Sequence, residues 1–205
     1  MFEMFESLDQ SLDQRMKRKL DSYNEDLCDE YSDFVIYLTS NDILKKLKID
    51  NLENLININS NIKDIGNEMK AKYGFDEVYC FNNEISLIYK YENQKNENKE
   101  LIYNGNKNKI LTRLASEASC MFTRVMNDPD NYIFKAKYVR FDKDGDIENW
   151  KNWRENNCER NIVHYLYKLV ISKNLYGKKH NEMINELNKY GILEQLEIKM
   201  LLNNE

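Results

Sequence analysis

The sequence predicts an α+β domain: a largely antiparallel sheet with helices packed on it and helical additions at both ends. Three observations predict it. Short apolar or alternating runs are separated by long stripes at helical spacing. Polar and Asn-rich turns fall between them. The 205 residues are 41% hydrophobic and 32% charged, enough apolar material for one sizeable core, while one proline and six glycines argue against a turn-dense β-sandwich.

Phe5, Leu8, Leu12, Met16 and Leu20 make an amphipathic N-terminal helix. Asp33 to Leu38, DFVIYL, is a buried strand that ends in the polar turn TSND. Leu52, Leu55, Ile58, Ile62, Ile65 and Met69 form a long helical stripe. DEVYCF and EISLIYKY read as two strands joined at Asn82-Asn83. Residues Leu101 to Tyr103 suggest a short strand in a polar segment, and Leu111, Leu114, Ala115, Ala118, Phe122 and Val125 a further helix. Tyr132 to Phe141 reads as a strand and DKDGD as a turn. From Ile147 on the pattern is helical, through Trp150, Trp153, Val163, Leu166 and Val170, then Met183, Ile184 and Leu187, with a short helix expected over Ile192 to Leu202.

The chain thus reads as a single domain with an N-terminal extension over residues 1–30, a core over 31–145 and a helical C-terminal part over 146–205. The split β-α-β-β-α-β order is the ferredoxin-like one that also underlies polymerase palm domains. Fold alone carries no function.

The net charge is −5 and the pI near 5.3, which argues against a strongly basic nucleic-acid binder. Three basic runs stand out: Arg15 to Lys19, Lys135 to Arg140 and Tyr176 to His180. Such runs are either solvated surface or phosphate contacts. Cys28, Cys80, Cys120 and Cys158 are widely spaced, which fits reduced thiols in a cytoplasmic compartment rather than zinc ligation. No signal peptide or membrane-spanning run is expected. His164 and His180, the only histidines, support no Ser-His-Asp or Cys-His pair.

Four segments in order carry a resemblance: LDQRMK from Leu12, FVIYLTSNDILKKL from Phe34, FNNEISLIY from Phe81, and WRENNCERN from Trp153 with YGKKHNEMINELNKYGI downstream. Their order and spacing resemble the tRNA-histidine guanylyltransferase family and the related 3′-to-5′ polymerases, over about residues 10 to 192. That resemblance implies a palm-like fold, nucleotide transfer to a tRNA 5′ end, Mg²⁺ and GTP or ATP as cofactors, and oligomeric assembly, whether of identical subunits or with a related one. It places the metal site on Thr39, Ser40, Asn83 and Glu84, with Glu84 the retained catalytic acid. It places the triphosphate cradle on Ser40, Asn41, Asp42, Ile43 and Leu44, with Asn82 and Lys109 also toward the nucleotide, and tRNA contacts on Arg113, Arg154, Asn161 and His180.

Thr39 and Asn83 stand where the family has metal-binding aspartates, so two carboxylates are replaced by neutral oxygens. Mg²⁺ is a hard ion that takes one or two carboxylates together with phosphate oxygens. The expectation is therefore a homologue with impaired catalysis that binds tRNA, nucleotide or partner subunits; an active nucleotidyltransferase and a purely structural protein are the rival readings. Two further alternatives stay open. Asp76-Glu77, after Tyr73-Gly74, offers a second alignment of the acid pair. Thr39 or Ser40 is equally a helix cap, and Glu84 equally an acid beginning an exposed strand.

Overall fold

In a computed structural model the described residues are 12–17, 27–29, 31–41, 43, 52–93, 100–127, 132–142, 145–171 and 177–191. Four strands form one antiparallel sheet: β1 (Phe34–Thr39), β2 (Glu77–Phe81), β3 (Glu84–Tyr89) and β4 (Lys135–Arg140), in the order β2-β3-β1-β4. Among the described residues four helices with defined ends accompany them: α1 (Leu52–Tyr73), α2 (Lys107–Met126), α3 (Asp146–Val170) and α4 (His180–Lys189). The chain order β1-α1-β2-β3-α2-β4 with β1 and β3 central is the split arrangement that the sequence predicts.

Strand periodicity sorts the side chains onto two faces. On one, Phe34, Ile36, Leu38, Ile85 and Leu87 pack with Ile58, Ile62, Ile65 and Met69 of α1 and with Ile110, Leu114, Ala118 and Phe122 of α2. On the other, Val35, Tyr37, Ile88 and Val139 pack with Ile147, Trp150 and Trp153 of α3. Both faces are buried, which explains why β1 and β3 read as near-continuous apolar runs rather than clean alternations.

Helix α1 lies unusually close to β2. A Cβ added at Gly66 would stand 2.2 Å from the Cys80 Sγ, so only glycine fits there without a shift. Residues 12–17 are helical, and Met16 is fully buried against the α3 side of the sheet with Leu12 packed alongside. Of the N-terminal stripe, Leu12 and Met16 thus face the chain's own core; Phe5, Leu8 and Leu20 lie outside the described residues. The expected strand at Leu101 to Tyr103 is instead a 3₁₀ turn over Ile102–Gly105, with Tyr103 and Asn104 both left-handed at φ 53°. Asn106 then caps α2 by accepting the Lys109 N–H at 3.0 Å. The helix expected over Ile192 to Leu202 lies outside the described residues.

Candidate functional site: the Thr39–Glu84 end of the sheet

The ladder register assembles the site. Thr39 of β1 lies directly opposite Glu84 of β3, and Tyr37 opposite Ser86. Opposed residues of an antiparallel pair project from the same face, here the one that α3 covers. Between β2 and β3 the chain turns through Asn82, left-handed at φ 52°, a conformation asparagine tolerates well. Asn82 is buried, and its N–H donates to the Asn59 Oδ1 at 3.1 Å. Its place in the turn is thereby accounted for without a ligand.

Asn83 and Ser40 clamp each other. The Ser40 N–H donates to the Asn83 carbonyl at 3.0 Å, and the Asn83 Nδ2 donates to the Ser40 carbonyl at 2.8 Å. Ser40 is fully buried, and its Oγ has no partner among the described residues.

Glu84 is only 7% exposed. The Arg154 Nε donates to its Oε2 at 2.8 Å, and the Arg154 Nη2 to its Oε1. The Tyr37 hydroxyl donates to Oε1 at 2.7 Å, and the Cys158 thiol approaches Oε2 at 3.7 Å. This is a bidentate fork on a carboxylate with two further donors. Arg154 also lies over the rings of Tyr37 and Trp153, 5.0 and 4.6 Å from their centroids. One turn earlier the Trp150 Nε1 donates to the Ser86 Oγ at 3.1 Å. Burial pulls the Arg154 pKa down, but Glu84 and Tyr37 outweigh it and raise it above the usual arginine range. Burial pushes the Tyr37 hydroxyl far up, and the Glu84 charge adds to it. Burial likewise raises the Cys158 thiol strongly, with Glu84 second.

This donor set does not fit a pair of divalent cations. Both Glu84 oxygens already serve a guanidinium and a phenol. The Asn83 amide is turned toward the Ser40 carbonyl, and Thr39 brings a neutral hydroxyl. Among the described residues no three His, Cys, Asp or Glu side chains come together as a metal-holding group. The second alignment of the acid pair gains nothing. Glu77 lies opposite Ile88, at the far end of β3 from Glu84, and pairs with Lys90 and Lys151. The Asp76 carboxylate accepts the Lys90 N–H at 2.7 Å.

The other sequence-derived residues scatter. Asn41 is exposed, and the Ile43 side chain is buried in the α1–α2 core, away from any ligand. Asp42 and Leu44 lie outside the described residues. Lys109 and Arg113 line an open groove of about 570 Å³ with Tyr103, Thr112 and Ser116. That groove belongs to the start of α2, which packs beside Phe34 and Tyr89, at the sheet end opposite to Thr39 and Glu84. Within one chain these two cations do not converge with the Ser40 turn. Arg154, expected on an RNA surface, is buried under α3, where its guanidinium faces Glu84 and not solvent. Asn161 is exposed one turn before His164, whose ring centroid is 6.1 Å from that of His180.

His180 begins α4. Its Nδ1 is buried without a hydrogen-bond partner among the described residues. Burial first, then His164 and Arg160, lower its pKa below the usual histidine value. The unfolded chain therefore takes up the proton first, so stability is complete above pH ~6.5 and declines as pH falls from there through the folded pKa. In thermal scans between pH 7.5 and 5.5, His180→Gln is expected to flatten this decline; an unchanged slope would show that His180 contributes nothing to it.

Sequence reasoning missed Tyr37, and it noted Cys158 only within the WRENNCERN segment, not as a neighbour of Glu84. Tyr37 sits two residues before Thr39 and so on the same strand face, and Cys158 sits one helical turn after Arg154. Both signals were present but needed the register and the packing of α3 to acquire meaning.

No family model matches the chain, and no curated protein does. Solved structures do match. A bacterial tRNA(HIS) guanylyltransferase (Thg1)-like protein in complex with GTP superposes with a TM-score of 0.64 at 19% identity, over 86% of this chain and 76% of that one. The same description in complex with ATP gives 0.65 at 20%, over 86% and 78%. The tRNA(His) guanylyltransferase of Saccharomyces cerevisiae gives 0.60 at 16%, over 82% and 80%. The chain has the palm-like α+β fold of the tRNA(His) guanylyltransferase-like proteins.

Proposed function

We propose that this chain is a tRNA-histidine guanylyltransferase homologue that binds tRNA, a nucleoside triphosphate or partner subunits, and that efficient nucleotidyl transfer has been lost. The fold and the ordered motif segments support the kinship. One observation carries the loss: the surviving acid, Glu84, is closed inside an ion pair with Arg154 under the Tyr37 hydroxyl. Transfer through two Mg²⁺ ions needs carboxylates that orient the ions against attacking and leaving oxygens, and among the described residues no group of acids comes together to hold them. Lys109, Arg113, Asn161 and His180, all at least partly accessible, are the residues offered for RNA contact.

The reading includes a cytoplasmic setting, supported by four unpaired thiols, and homo- or hetero-oligomeric assembly. No helix of the described residues is long and apolar enough to cross a membrane. The test is direct. Incubated with radiolabelled GTP or ATP, Mg²⁺ and 5′-mono- or triphosphorylated tRNA, the protein is expected to shift tRNA in a gel without transferring label above background. Robust transfer by the unaltered protein would establish the active-enzyme reading instead, and the absence of any shift would favour a purely structural role.

A further inference from the structure

Strand β2 ends the sheet. One of its edges pairs with β3, and no described strand takes the other. Exposed edges are normally guarded by lysine, proline or a bulge. The opposite edge strand obeys that rule, since β4 carries Lys135, Lys137 and Arg140. In β2 the run Val78 to Phe81 has no charge and no proline, and its register on β3 is one-to-one. Glu77, at the start of the strand, is already paired with Lys90 and Lys151. Val78 to Phe81 line a groove of about 370 Å³ in unbroken succession. Successive strand residues point to opposite faces, so the groove follows the edge and not either face. One wall is Asn59, Lys63 and Asn67, a single row of α1 at spacings of four. The other is the exposed Glu155 of α3, beside Tyr79. Helix α1 runs antiparallel to β2, with Asn59 at the Asn82 turn and Gly66 against Cys80. The row from Asn59 to Asn67 is about 12 Å long, room for roughly three to four extended residues.

The walls select the occupant. The outer N–H and C=O groups of β2 are met by extended backbone. A second folded copy brings its own α1 and α3 walls, and wall meets wall before the two edges reach the ~4.8 Å of paired strands. It also sets Glu155 against its own equivalent. A single extended peptide has no walls and fits between them. We infer that the β2 edge binds an extended peptide segment as a fifth strand, with lysine or arginine at alternate positions facing Glu155 and small polar residues facing the α1 row. In this mode the main chain supplies affinity and alternate side chains supply specificity. Side chains of one parity fall on the α3 side, where the Glu155 carboxylate and the Tyr79 ring receive a cation. Those of the other parity face Asn59, Lys63 and Asn67, where a cation meets the charge of Lys63. The net charge of −5 draws a basic segment toward the chain. This site is separate from the nucleotide and tRNA reading above, which stands whatever its outcome.

The probe is a capped heptapeptide of alternating threonine and lysine, followed by fluorescence anisotropy and by hydrogen–deuterium exchange of the protein. It is expected to bind saturably at sub-millimolar concentration and to slow exchange over residues 77–81. Of two analogues, N-methylated at the threonines or at the lysines, one should bind at least tenfold more weakly, because alternate residues of a strand direct their N–H groups to one edge. A peptide of the same composition with its lysines in one block should bind several-fold more weakly than the alternating one. E155K should lose about fivefold in affinity for the lysine peptide and prefer its glutamate counterpart. Glu155 is exposed, and circular dichroism with a thermal scan verifies that the variant folds. No saturable binding, unchanged exchange over 77–81, full affinity of both methylated analogues, or an unchanged affinity in E155K would each overturn the inference. So would a concentration-dependent dimer that protects 77–81 without peptide, since a second copy would then hold the edge.

Discussion

Arg154→Met is expected to destabilise the protein by about 3–5 kcal/mol, because it strands the buried Glu84 carboxylate without its counter-charge. For a domain of this size that corresponds to a drop of roughly 6–20 °C in melting temperature. Glu84 is 7% exposed, too deep for water to take over the two donors that the guanidinium provides. The Tyr37 hydroxyl remains, but one neutral donor does not balance a full charge. Glu84→Met alone should be comparably harmful, since it leaves the guanidinium alone under α3. The double change Glu84→Met with Arg154→Met should recover most of the loss, because apolar replacement of a whole buried pair is often neutral or stabilising. Urea unfolding of the three variants closes the cycle. Simple additivity of the two losses would show that the pair is not coupled, and the closed-acid account of Glu84 would then fail.

The second large effect is a gain. Thr39→Asp with Asn83→Asp places two carboxylates on either side of Glu84, at the positions where the resemblance puts metal-binding aspartates. At about 4 Å and an effective dielectric near 20, each new charge facing a cation contributes on the order of 4 kcal/mol before desolvation. Even a fraction of this predicts Mn²⁺ or Mg²⁺ binding at least tenfold tighter than in the parent, or about 1.4 kcal/mol. The gain is opposed from two sides. An Asp at 83 loses the amide that donates to the Ser40 carbonyl and faces that oxygen with charge. The Arg154 guanidinium already serves Glu84 and repels an incoming cation. The gain should therefore grow further when Arg154→Gln is added to the pair. Titration with Mn²⁺ followed by water-proton relaxation measures it, and no gain in either background would mean that Thr39 and Asn83 are not the equivalents of those aspartates.

How much of this was legible follows residue by residue. The helical stripes of α1 and α2 were, because their Ile, Leu and Met positions recur at a period that only a helix satisfies. The strand order was legible once four strands and two helices appeared in the split sequence. The short element after Leu101 was not. Tyr103 and Asn104 take left-handed backbone conformations, and an apolar triplet cannot announce that. Glu84 illustrates the limit at the site. Its neighbours told that it begins a strand, but not which of its faces a helix would cover. Arg154 is 70 residues away in sequence, and the motif that contains it suggested an exposed RNA contact. Only the packing of Trp150 and Trp153 into the sheet brings that turn of α3 over Glu84. Lys109 and Arg113 show the same limit in reverse. Spacing on a helix fixed that they share a face, but not at which end of the sheet the face would lie.

The contact between Gly66 and Cys80 has a chemical corollary. The sulfur sits close against the α1 backbone at Gly66, and burial pushes the thiol up to about 12. A thiol so rarely ionised is a poor nucleophile toward peroxide. The missing side chain of a residue fourteen positions away thus gives this edge-strand sulfur its seat against α1.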